Sequence, residues 1–173
     1  MATLETGNSG MRFEDVNGDG VDEIITADDT FAYWNTCFAC SPKPKVIARW
    51  NGTSIVLAEE LMRTDLDGAA LAKHANEMNS AWTGQTDLGS NGVHVTTWTN
   101  LLELIYTGRA DIGFELLAQT WSPDGPDRTK FEQEFLNLLA HSAWAENLAS
   151  MNGGSFALRL QAERAAIAAA DQR

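Results

Sequence analysis

The stretch Asp15-Val16-Asn17-Gly18-Asp19-Gly20-Val21-Asp22-Glu23-Ile24-Ile25 decides how this chain is read. Oxygen-bearing side chains recur at alternate positions, Asp15, Asn17 and Asp19, with Gly20 next and Glu23 beyond it. Alternate residues of a tight loop can point inward together. Gly20 permits the sharp turn, the Val21 carbonyl can then face the centre, and Glu23 closes the set. Such a set suits a hard cation such as Ca²⁺, which takes about six to eight oxygens in a loose shell. The candidate ligands are therefore Asp15, Asn17, Asp19, Val21 through its carbonyl, and Glu23. Ionised Asp15, Asp19 and Glu23 repel one another, and a bound cation would neutralise them and order the loop. A bare turn needs only one or two Asp, Asn or Gly residues, so donors at this regular spacing exceed what a turn requires.

The loop is not an EF-hand. That motif places a bidentate Glu at its twelfth position, which here is Thr26. Nor should a helix follow, because Ile24-Ile25-Thr26-Ala27 is mostly β-branched and reads as a buried strand. Phe31-Ala32-Tyr33-Trp34 reads as a second strand. Val46 to Trp50, Asn51-Gly52 and Thr53 to Leu57 read as strand, tight turn and strand. Asn51-Gly52-Thr53 also matches a glycosylation sequon, which the turn itself explains. A cation loop running into a strand, followed by such a hairpin, resembles the FG-GAP/VCBS type of repeat of integrin-like and bacterial secreted β-propellers. The run from Phe13 to about Leu61 also resembles a group of uncharacterised bacterial proteins. These share an Asp-rich loop, a segment like Asp28, Asp29, Phe31, Ala32 and Tyr33, and a Trp/Gly hairpin. The resemblance implies calcium binding and an extracytoplasmic location, and it implies no reaction.

The chain has 173 residues and a formal charge of −12. An acidic chain is a poor partner for nucleic acid, whose phosphates need a basic face, and for anionic lipid. No apolar run approaches the roughly 18 residues that span a bilayer. The first ten residues, Met1 to Gly10, carry neither the basic nor the apolar stretch of a signal peptide. Either the protein is cytoplasmic, or the chain lacks its natural start and is periplasmic or secreted. A calcium loop of millimolar affinity favours the second option.

Cys37 and Cys40 are the two cysteines. A redox-active CxxC normally opens a helix that lowers the thiol pKa. Pro42 and Pro44 follow here, so no helix is expected to start. With no second ligand pair at zinc spacing, the pair reads as a local disulfide or two free thiols in a loop.

The sequence changes character near Thr64. Before it, β-branched and aromatic residues alternate with turn signals; after it, Ala, Leu, Glu and Gln recur with helical periodicity. We expect an α+β chain, with a small antiparallel β segment and its calcium-binding loop at 1–64 and an α-helical bundle at 65–173. Asp65 or Asp67 should cap a helix over 68–82. Thr83 to Gly92 is a polar connector or lid. Helices follow over 97–106, over 112–121 capped by Asp111, from Asp127 through His141 with an extension to Ala149, and over 155–170. Gly108 suits a helix stop, and the pair around it looks a little like one tetratricopeptide hairpin. No repeat near 34 residues accompanies it, as an array would require.

No GxSxG elbow, HExxH or P-loop is present. Three functions remain in competition. The leading one is a non-catalytic calcium-binding structural or interaction protein, with a protein partner taken by the helical domain. The second is a hydrolase-type enzyme with a site between the β segment and the helices, for which His94, His74 and Asp87 are the candidates. The third is a protein-binding adaptor using the helical hairpin around Gly108.

Overall fold

A computed structural model describes residues 7–84 and 87–170. Four antiparallel strands in the order β1-β2-β3-β4 form a meander: β1 (Arg12–Glu14), β2 (Glu23–Ala27), β3 (Lys45–Trp50) and β4 (Ile55–Leu57). Seven α-helices follow among the described residues: α1 (Glu59–Met62), α2 (Gly68–Ala81), α3 (Val95–Tyr106), α4 (Ala110–Thr120), α5 (Arg128–Ala140), α6 (Ala145–Asn152) and α7 (Gly154–Ala170). The α+β reading is correct.

Three of the four strands, β2, β3 and β4, come from residues the sequence marks, whereas β1 (Arg12–Glu14) is a strand the sequence reading does not expect. Ile25 lies opposite Ile47, and Thr26 opposite Val46. Val46, Ile47 and Ala48 are all buried, so β3 is covered on both faces. The β3–β4 connection is not a two-residue turn. Trp50 pairs with Ile55, which leaves a loop of 51–54. The Asn51 side chain accepts from the N–H groups of Thr53 and Ser54, both at 2.9 Å, and Gly52 takes the positive φ of 98°.

Phe31-Ala32-Tyr33-Trp34 is not a strand. Ala32 N–H donates to the Asp29 carbonyl and Trp34 N–H to the Phe31 carbonyl, so the segment is a run of turns. The reason is parity. Phe31 and Trp34, three residues apart, both pack into the aromatic core, whereas a strand would send them to opposite faces. Tyr33 takes a φ of 62° and is left exposed.

Helix ends follow local chemistry. Asp67 caps α2 by accepting from Ala70 N–H at 2.8 Å, and Asp127 caps α5 through Lys130 N–H. After α3, Arg109 N–H donates to the Leu104 carbonyl and Gly108 N–H to the Ile105 carbonyl, with Gly108 at φ 76°. This paired closure is the Schellman stop that a glycine permits. Arg109 occupies the cap position of α4, and Asp111 falls in its first turn instead. α5 does not continue to Ala149. It ends at Ala140 with His141 as its cap, and Ser142 Oγ accepts the Trp144 N–H that begins the next turn.

One hydrophobic cluster joins the two halves. It contains Phe31, Val46, Ile47 and Leu57 from the β segment together with Trp98, Leu101, Phe131, Phe135 and Leu139 from the helices. Phe31 lies 4.9 Å from Phe135 and 5.4 Å from Trp34, ring centre to ring centre. α3 lies at the centre of the bundle, packed by α2, α4 and α6.

Candidate metal centre

The loop between β1 and β2 curls around its own acidic side chains. Asp15 Oδ1 accepts from the N–H groups of Gly18 at 2.7 Å and Asp19 at 3.1 Å, and Oδ2 accepts from Gly20 N–H at 3.0 Å. Three backbone dipoles thus converge on one carboxylate. Gly18 and Gly20 both have positive φ, 78° and 86°, which allows this curl. Asn17 Oδ1 accepts from Asp19 N–H, and Asp19 Oδ1 accepts from Val21 N–H. Glu23 opens β2 and is only 2% exposed, although the loop it faces is exposed. Its Oε2 accepts from Val16 N–H at 2.9 Å.

Two oxygens are left over, Asp19 Oδ2 and Glu23 Oε1. The Asn17 side-chain amide nitrogen stands between them, 2.9 Å from the first and 3.5 Å from the second. The positive end of an amide dipole therefore separates two carboxylates. Rotating that amide would turn its oxygen toward the same point. Among the described residues, no group of three or more His, Cys, Asp or Glu side chains is drawn together closely enough to hold a metal ion. Backbone N–H groups donate to the Asp15, Asp19 and Glu23 carboxylates. The donor set of carboxylates and an amide suits a hard, oxygen-seeking cation and does not suit a soft one. Val21 is 64% exposed at the rim of the loop.

Asp28 and Asp29, which follow β2, are held by other contacts. Asp29 accepts from Asn8 N–H. Asp28 is 7% exposed and points into the fold, where its Oδ1 accepts from the Thr30 N–H and hydroxyl. Its Oδ2 accepts from the hydroxyls of Tyr106 and Ser142. Burial, and then the Asp28 charge, push the Tyr106 hydroxyl well above its ordinary pKa. In the sequence Asp28 is visible only as part of the segment that carries the family resemblance. Its partners lie 78 and 114 residues away, and no local signal announces them.

His74, His94 and Asp87 do not share a cleft in this arrangement. His74 Nδ1 pairs with Asn100 Oδ1 at 2.6 Å and lines a groove of about 510 Å³ between the β segment and the helices. Asp87 lines a different cleft, of about 450 Å³, with Cys40. His94 is buried at the N-terminus of α3, edge-on to Trp82. Of the connector proposed as a lid, Gln85 and Thr86 lie outside the described residues. Cys37 and Cys40 form a disulfide, and the chain between them makes a single 3-10 turn, Phe38–Cys40. Closing so short a loop contributes about 2 kcal/mol by chain entropy.

No family model, curated protein or solved structure matches this chain. Among the described residues, no helix is long and apolar enough to cross a membrane.

Proposed function

We propose that the protein is a non-catalytic calcium-binding structural module, in which Ca²⁺ orders the Asp15–Glu23 loop and the helices supply an interaction surface. The observation that carries this reading is the Asn17 amide held between Asp19 Oδ2 and Glu23 Oε1. It marks a point of concentrated negative potential beside a buried carboxylate, rimmed by a loop whose glycines allow it to tighten. Asp15, Asn17, Asp19, Val21 and Glu23 would hold the ion, which would supply charge neutralisation and no chemistry. The Cys37–Cys40 disulfide supports an oxidising, extracytoplasmic setting, where calcium is also plentiful.

The competing readings have less support. Of the three candidate catalytic residues, His74 and Asp87 line different clefts and His94 is buried against Trp82, although the Val95 N–H next to it donates to the Asp87 carbonyl. The large apolar side chains exposed among the described residues, such as Phe13, Val21, Tyr33, Trp50 and Leu158, lie outside the α3–α4 hairpin that an adaptor would use.

Calorimetric titration with Ca²⁺ and Mg²⁺, on wild type and Asp19→Ala, tests the proposal. One-site binding of Ca²⁺ that Asp19→Ala abolishes, with Mg²⁺ much weaker, is the expected result. Mg²⁺ demands a tighter octahedron than this loop offers. Absence of heat and of any thermal shift at millimolar Ca²⁺ would reduce the loop to a turn.

A further inference from the structure

The Cys37–Cys40 disulfide has features of a reaction site more than of a staple. Both cysteines are exposed. The turn that carries them is held without the sulfurs. Cys40 N–H donates to the Cys37 carbonyl at 3.0 Å, and Ser41 Oγ donates to the same carbonyl at 2.9 Å. Ser41 Oγ in turn accepts from Tyr33 N–H at 2.9 Å, and the Tyr33 and Phe38 rings pack at 5.2 Å. Lys43 places its ammonium 3.9 Å from the centre of the Phe38 ring. A reduced pair would therefore remain apposed, ready to close again.

Cys40 also opens onto the polar cleft between this turn, α2 and α3. Lys73, Glu77, Asp87 and Glu103 line it. Lys73 and Glu77 pair at 3.6 Å, which leaves Asp87 and Glu103 to make the cleft that Cys40 lines net negative, with the Lys43 ammonium on the Phe38 ring as the opposing charge on the turn itself. An approaching anionic thiol is repelled there and a cationic one is attracted.

We propose that Cys37–Cys40 is a thiol–disulfide exchange site that takes two electrons from a dithiol carried on a basic partner segment, entering through the acidic cleft beside Cys40. A partner thiolate attacks Cys40 Sγ and forms a mixed disulfide. The electron pair of the broken bond goes to Cys37 Sγ, which is exposed and takes a proton from water. The partner's second thiolate then attacks its own sulfur in the mixed disulfide and releases Cys40 as a thiolate, which is protonated in turn. The partner leaves oxidised and this chain leaves as a dithiol. The exchange site uses no residue of the cation loop.

The test compares two small thiols on the oxidised full-length chain, cationic cysteamine and anionic 2-mercaptoethanesulfonate, at equal thiolate concentration and low salt. Alkylation and mass spectrometry read the opening of the disulfide. Cysteamine should react about fivefold faster or more, and the gap should close near 0.5 M salt and in an Asp87→Asn/Glu103→Gln variant. In Cys37→Ser, cystamine should label Cys40 faster than the dianionic disulfide of mercaptoethanesulfonate does. Circular dichroism of the reduced chain should retain the helical signal and a cooperative melt. Equal rates for the two thiols at low salt, resistance to both, or loss of the fold on reduction would each overturn the proposal.

Discussion

The hydroxyl of Tyr106, in the last turn of α3, donates to Oδ2 of Asp28, which follows β2 by one residue. Ser142, between α5 and α6, donates to the same oxygen. One buried carboxylate thus ties the end of β2, an interior strand of the sheet, to two places in the helical bundle. Its other oxygen is satisfied by Thr30. A buried charge is tolerated when its lone pairs are filled in this way.

Tyr106→Phe removes one donor and leaves Asp28 in place, partly unsatisfied. The expected loss is about 1–3 kcal/mol of unfolding free energy, the cost of an unmet buried acceptor. Urea denaturation of the variant and wild type measures it. Equal midpoints would mean that the Asp28 bond contributes nothing net.

The same pair sets an alkaline limit. Burial and the Asp28 charge raise the Tyr106 pKa in the folded state. Below the unfolded tyrosine value of about 10, both states hold the proton and stability is unaffected. Above it the unfolded chain ionises while the folded chain does not, so stability falls with rising pH by about 1.4 kcal/mol per unit until the folded value is reached. Tyr106→Phe should abolish that component of the slope. Denaturation midpoints measured from pH 9 upward give the comparison, and parallel slopes for the two proteins would refute it.

Much of this architecture is legible in the residues. The periodic helices, the caps at Asp67 and Asp127, the stop at Gly108 and the β-branched strands follow local rules, and local rules can be read from a sequence. Two of the misreadings share a physical source. Phe31-Ala32-Tyr33-Trp34 has strand composition, but its inward faces are set by Trp98, Phe131 and Phe135, between 64 (Trp34 to Trp98) and 104 (Phe31 to Phe135) residues away along the chain. Ser142 breaks what looks like a continuous α5–α6 run because Asp28 draws its hydroxyl inward. The loop from Asp15 to Glu23 is legible as a donor pattern because its contacts span at most seven residues. The burial of Glu23 is not legible, since it depends on where β2 sits in the sheet.

Phe31 tests how strongly the two halves depend on one core. It is 1% exposed and lies against Phe135 of α5. Phe31→Ala should cost about 3–5 kcal/mol, the usual cost of emptying a buried aromatic site. The loss should appear in one cooperative transition seen alike by helical circular dichroism and tryptophan fluorescence. Two separated transitions would mean that the β segment and the bundle unfold independently.

The disulfide should matter little to stability. The double variant Cys37→Ser/Cys40→Ser reopens a loop of sequence separation 3, which is worth about 2 kcal/mol at most. For a chain of this length the melting temperature should fall by about 4–8 °C. A collapse of the fold would show that the bond holds the Phe31–Ser41 region in place.

Glu23→Gln separates the two roles of the cation loop. Gln keeps the shape and can still accept from Val16 N–H, but it removes the charge. Without calcium, that charge is a burden. Glu23 lies directly opposite Glu14 in the β1–β2 ladder, and its Oε1 faces Asp19 across the Asn17 amide. Like charges placed across a ladder cost about 0.2–1 kcal/mol, so the variant should melt slightly higher than wild type in chelator. With calcium the order should reverse. Wild type gains about 1.4 kcal/mol for each tenfold excess of ion over its dissociation constant, and a variant lacking one charged ligand gains less at the same concentration. Thermal melts of both proteins in chelator and in millimolar Ca²⁺ should therefore cross. If the two curves keep the same order in both conditions, Glu23 is a structural residue of β2 and has no part in holding an ion.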